Sequence, residues 1–244
     1  APTKKGPNVS LIPYGIYGGN RDFINPTPFK HSYNFGLDAK IAVSSALNLD
    51  VTINPDFSQV DVDRQVTNLT RFSLFFPEQR NFFIENSDLF ANFGFRQIRP
   101  FFSRKIGLYN GNQIPIIGGL RLSGKINKNW RIGIMDLQTE KKTEFNSPAK
   151  NFFVAAAQRQ VFDRSNIAFI FVNSETVDYT KINPIGYNRL AGVDFNLASK
   201  NNHWNGKLFY HHSISPNSTN LNSFAHASWI AYTSQKWWLE WNHE

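Results

Sequence analysis

The chain has no cysteine and one methionine, Met135, so neither a disulfide framework nor a thiolate metal site can be drawn from it. Long apolar runs are also missing. Stretches such as Phe152 to Ala157 fall far short of the roughly 20 residues that a membrane-spanning helix needs. No G-x-S-x-G, Walker loop or dinucleotide fingerprint occurs. Charge is sparse, at 18% of 244 residues, and the net +8 is scattered without a basic helix or tract, so nucleic-acid binding is not expected. Ala1 follows neither an initiator methionine nor a signal-like segment, and the chain reads as a processed or excised piece.

Aromatic residues are abundant: 23 Phe, 8 Tyr and 6 Trp make up 15% of the chain, yet the mean hydropathy is only −0.38. The rings must therefore be interleaved with Asn, Ser, Thr, Gln and Gly, the pattern of half-buried strands. Leu37, Ala39, Ile41 and Val43 alternate up to Ser44-Ser45-Ala46, and Leu47, Leu49, Val51 and Ile53 alternate away. Three further hairpins follow, around Asn127-Lys128-Asn129, Asp163-Arg164 and Lys200-Asn201-Asn202. Between them lie longer polar segments: Asn20 to Lys30, Thr139 to Lys150, Ser174 to Gly186 and Ser213 to Asn222.

Strict alternation of short and long connections predicts an all-β fold, an antiparallel transmembrane β-barrel with short periplasmic turns and long external loops. The count is about eleven strands in a single segment over residues 1–244, with the last strand, Lys236 to Glu244, at an open edge. Single-chain bacterial barrels have even strand numbers and no open edge in lipid, so the barrel is expected to continue beyond residue 244. Trp130 and Trp204 directly follow short turns, and Trp237, Trp238 and Trp241 crowd the last one, which suits a membrane-interface girdle. A soluble β-sandwich with the aromatics inside is the competing architecture.

From Ser58 to Asn112 the alternation fails and Phe, Arg and acids dominate. A loop of this length is usually functional, and by parity it can fold into or over the lumen. Its candidates for a lumen constriction are Arg64, Arg71, Glu78, Arg80, Glu85, Asp88, Arg99 and Arg104. The preferred reading of these charges is mutual pairing that holds a plug in place.

The run Asn54-Pro55-Asp56-Phe57-Ser58-Gln59-Val60, then Phe75-Phe76-Pro77-Glu78, Arg80, Phe82-Phe83 and Glu85, then Pro100-Phe101-Phe102-Ser103-Arg104, resembles an uncharacterised barrel family. These are outer-membrane barrels of the Bacteroidota and related bacteria that follow a family-9-like carbohydrate-binding domain. Leu11-Ile12-Pro13-Tyr14 is similar to the start of that barrel, and the likeness covers roughly residues 8–140. Asn81 and Asn86 stand where the family pattern has Pro and Gly. The resemblance implies a bacterial outer-membrane location and transfers no catalytic residues.

Glu78 and Glu85, with Asp88 nearby, form the one carboxylate set that could serve a glycosidase, but adjacent arginines would keep them ionised, against the needs of a general acid. His211 and His212 point to opposite faces of a strand and do not share a metal. Asp56, Asp61 and Asp63 lack the glycine and closing glutamate of an EF-hand loop. No catalytic residue, metal or cofactor is expected. The leading function is a pore or transporter for polar solutes, with saccharides as the candidate class and outer-membrane lipid as the surrounding partner. The alternatives are an anchor or scaffold that docks other envelope proteins, and an enzyme acting on surface glycans.

Overall fold

The computed structural model describes residues 8–21, 23, 28–55, 77–110, 112–177, 186–216 and 223–244. In chain order its elements are β1 (Val9–Asn20), β2 (Lys30–Ala42), β3 (Leu47–Ile53), the short helices α1 (Asn81–Ile84) and α2 (Asp88–Ala91), and the two-residue strands β4 (Leu108–Tyr109) and β5 (Asn112–Gln113). Then follow β6 (Ile116–Lys125), β7 (Trp130–Thr139), β8 (Lys150–Val161), β9 (Ser165–Thr176), β10 (Tyr187–Ala198), β11 (Trp204–Ile214), β12 (Phe224–Thr233) and β13 (Trp238–His243).

Apart from the β4–β5 hairpin, these strands form one antiparallel sheet of eleven in the order β1-β2-β3-β6-β7-β8-β9-β10-β11-β12-β13. Every neighbour in the sheet is the next long strand in sequence, and the expected count of eleven holds. β1 and β13 are the two ends of the order, so the sheet is open among the described residues, and β13 pairs with β12 on one side only.

Connection lengths alternate as the sequence pattern requires. Residues 43–46, 126–129, 162–164, 199–203 and 234–237 close the short hairpins, and the longer connections all leave the opposite end. Asparagine does much of the turning. Asn54, Asn86, Asn110, Asn146 and Asn202 adopt positive φ, a conformation that Asn tolerates better than other residues bearing a side chain.

Register divides the sheet into two unlike faces, because directly opposed residues project to the same side. One row runs Val9, Ile41, Leu49, Leu122, Ile134, Ala155, Phe171 and Ala191 across eight strands, apolar throughout. On this open face Phe35, Leu120, Ile134, Phe169, Phe171, Val193, Tyr210 and Trp241 are exposed. Among its polar members, Arg159 lies near the short turns and Asn151, Asn173 and Arg189 near the long connections, whereas His212, His226 and Ser228 interrupt it within β11 and β12. The other face begins with the row Lys40, Asp50, Arg121, Met135 and Val154, mixes charge with small residues, and is covered by the segment from Pro77 to Ile106.

Candidate functional site

The covering segment packs because of its phenylalanines. Phe82, Phe83, Leu89, Phe90, Phe93, Phe101 and Ile106 join Ile116, Met135, Leu137, Val154, Ala156, Ala168 and Ile170 of the sheet in one buried cluster. Helices of four residues have no stability of their own, so α1 and α2 depend on this packing. Small residues make the floor. A Cβ on Gly133 would sit 2.6 Å from Cζ of Phe90, so the ring of α2 lies directly on the β7 backbone. Asn81 is the first residue of α1, where proline is favoured, and Asn86 has φ of 50°, where glycine is favoured.

The charged residues of the segment are joined to one another and to the sheet. Arg80, buried to 4% exposure, donates from Nε to Glu78 Oε1 and from Nη2 to Glu78 Oε2, each at 2.9 Å. Its Nη1 donates to the Ile106 carbonyl and Nη2 also to the Ser103 carbonyl, both at 2.8 Å, and its guanidinium lies over the Phe83 ring. Burial alone would push the Glu78 carboxyl upward. The hydrogen bonds and charge of Arg80, helped by Ser103 Oγ and the Arg80 backbone N–H, outweigh burial and hold the carboxyl below its ordinary value. Arg104, equally buried, donates to the Pro77 carbonyl, so it ties the end of the segment to its start.

Three further ties fix the segment to strands. Glu85 accepts from Lys40 Nζ of β2 and from Asn48 Nδ2 of β3. Arg131 of β7 makes a two-pronged bond to Asp88, at 2.7 and 3.1 Å. Asp194 of β10, with no exposed surface, accepts from the Gly94 backbone N–H at 2.8 Å and meets His211 Nε2 at 2.7 Å, while Lys207 Nζ stands 3.3 Å away. Lys207 also donates to the Asn92 carbonyl.

The arrangement therefore brings Glu78, Arg80, Glu85, Asp88 and Arg104 together as structural ties. Arg99 is exposed and lines a small cavity of about 170 Å³ with Glu78, Phe90 and Phe101. Arg64, Arg71, Asp56, Asp61 and Asp63 lie outside the described residues. A Glu78 held as carboxylate lacks the raised pKa of a general acid. His211 faces Asp194 on the covered side, and by strand alternation His212 projects to the open face. Trp130, Trp204, Trp237 and Trp238 sit at the short-turn end of the sheet, with Trp241 one turn of the pleat further in.

Sequence reasoning missed the strand partners Lys40, Asp50, Arg121, Arg131, Asp194 and Lys207, and weighed His211 only as a metal ligand. A signal for several of them was present, as three show. Asp50 stands between Leu49 and Val51, Arg121 between Leu120 and Leu122, and Asp194 between Val193 and Phe195. A charge at the covered-face position of an alternating strand marks a place where something inside must neutralise it.

No curated protein and no solved structure matches the chain. A family model does match, over residues 8–244 and thus nearly its whole length. The chain belongs to that family, described as a domain of unknown function (DUF5916).

Proposed function

We propose that this chain is part of a β-barrel in a bacterial outer membrane, its open face against lipid, and that the barrel passes polar solutes, saccharides being the candidate class. The observation that carries the reading is the open face itself. Eight strands contribute to an uninterrupted apolar row there, and Leu120, Ile134, Phe169, Phe171 and Val193 in and beside it are exposed. A patch of that extent meets lipid or another apolar surface. Trp130 and Trp204, on the open face at the short-turn end, support the same surroundings. In this reading the edges of β1 and β13 find partners in further strands, since unpaired backbone groups have no place in hydrocarbon.

The test uses the full-length protein, extracted from membranes and reconstituted in planar bilayers and sugar-loaded vesicles. Conductance and sugar flux are expected, both increasing when residues 77–107 are deleted. A silent bilayer for both proteins overturns the pore. Leu122→Arg, on the open face, is expected to cost about 2–4 kcal/mol of assembly in the membrane. Full assembly of that variant overturns the lipid contact.

The density of ties within the covering segment favours a second reading, an anchor or scaffold for an envelope complex. Arg80, Arg104 and Arg121 are each buried and bonded to the segment, the arrangement of a fixed plug. A barrel that stays silent until the segment is deleted, and that leaves native membranes with companion proteins, supports this role over transport.

A further inference from the structure

At the long-connection end a cavity of about 570 Å³ opens between the Ser103–Lys105 turn, the β4–β5 hairpin and the adjoining ends of β7 and β8. That size falls within the range of small-molecule sites. Its walls carry three cations, Arg104, Lys105 and Lys150, and among the described residues no Asp or Glu lines it. Glu140, next to the end of β7, is engaged by Lys142 at 3.1 Å. Among the described residues neither Lys105 nor Lys150 has a carboxylate partner, whereas Arg104 is anchored on the Pro77 carbonyl. The rest of the wall is largely apolar and aromatic, with Phe102, Tyr109 and Phe152 the rings. Lys150 Nζ stands over the Tyr109 ring, 5.6 Å from its centroid, so the ammonium group is held at an aromatic wall.

We propose that this cavity binds a small organic anion with a ring-shaped body, a ring carboxylate. Lys105 and Lys150, which have no carboxylate partner among the described residues, supply attraction for the carboxylate, and the aromatic walls supply contact area for the ring. Two sources share that chemistry, aryl carboxylates and sugar carboxylates. Either one enters without passing through the sheet, so the proposal stands apart from the pore reading.

Calorimetric titration of the full-length protein in detergent tests it, with benzoate and glucuronate as probes and benzamide and glucose as their neutral counterparts. At least one carboxylate is expected to bind, no less than ten-fold more tightly than its neutral counterpart, and less tightly as salt is raised. The probe that binds identifies the source. Lys105→Gln and Lys150→Gln change half-buried or exposed positions, so folding is expected to survive, which circular dichroism checks. Lys150→Gln is expected to weaken binding at least ten-fold. Failure of both carboxylates to bind, equal affinity for a neutral counterpart, or an affinity untouched by both substitutions overturns the proposal.

Discussion

Arg121 on β6 grips Asp50 on β3 through Nε at 3.1 Å and Nη2 at 2.8 Å, while its Nη1 donates to the Glu85 carbonyl of the covering segment at 2.7 Å. The two residues face each other in register, and Arg121 is only 2% exposed. One guanidinium thus neutralises a buried sheet carboxylate and holds the turn after α1.

Removing one partner of such a pair leaves the other charged and buried, which costs about 3–5 kcal/mol, whereas replacing both with apolar residues costs far less. Arg121→Met is therefore expected to destabilise the fold by that amount and to open the segment to protease. The double variant Asp50→Leu with Arg121→Met is expected to recover more than half of the loss. Urea unfolding in detergent, with limited proteolysis of residues 77–107, checks both. Equal losses in the single and double variants would mean that packing, and not charge, fixes the segment.

Glu78 gives the segment an acid-sensitive hold. Its carboxyl is kept below the ordinary glutamate value, because bonds from Arg80 and Ser103 outweigh the effect of burial. A depressed folded-state pKa contributes stability that is present above the unfolded value and lost as pH falls through the folded one. Proteolysis of the segment is thus expected to accelerate as the solution is acidified below the ordinary glutamate range. Glu78→Gln is expected to be less stable at neutral pH and to flatten that dependence, and a profile unchanged by the substitution would assign the acid sensitivity elsewhere.

Gly133 and Phe90 are matched in shape. The Phe90 ring occupies the space a side chain on Gly133 would need, and the ring is itself 4% exposed in a close-packed cluster. Gly133→Ala is expected to cost about 1–3 kcal/mol, as overpacking does, despite the better strand propensity of alanine. Phe90→Leu in the same chain is expected to return part of that loss, because the shorter side chain clears the added methyl. Thermal unfolding of the two single variants and the double gives the coupling, and strictly additive losses would contradict this contact.

Much of the sheet was readable in advance. Period-two runs such as Leu37, Ala39, Ile41 and Val43 can bury only one face as a strand, and connection length then fixes which ends are neighbours. The segment was readable only as an exception. Its phenylalanines pack against Met135, Val154, Ala168 and Ile170, tens of residues away, and no local pattern encodes such contacts. The charge pairs show the same divide. Arg80 and Glu78 are two residues apart and their pairing follows from proximity, but Gly94 and Asp194 are separated by 100 positions. A lone Asp between Val193 and Phe195 announces a need for a partner without naming it.

That last contact yields the sharpest local prediction. Gly94 has φ of 67°, a left-handed conformation, and its N–H points at Asp194 Oδ2 while a Cβ there would meet the Ile98 carbonyl. Both the conformation and the space exclude a side chain, so Gly94→Ala is expected to lose about 1–2 kcal/mol from the left-handed strain alone. Asp194→Asn keeps the shape but removes the charge that Lys207 faces and replaces one of two carboxylate oxygens by an amide donor. Either its amide confronts the Gly94 N–H, or it turns toward His211 and leaves a neutral acceptor for Gly94. In both cases the charge-assisted bond is lost, and hydrogen exchange at the Gly94 amide is expected to accelerate about ten-fold, equivalent to roughly 1.4 kcal/mol. The Phe83 amide, which bonds the Arg80 carbonyl at 2.9 Å at the other end of the segment, is the internal reference. Acceleration at Gly94 with Phe83 unchanged shows a local latch. Equal acceleration at both amides shows that the segment opens as one unit, and no change at Gly94 refutes the Asp194 contact.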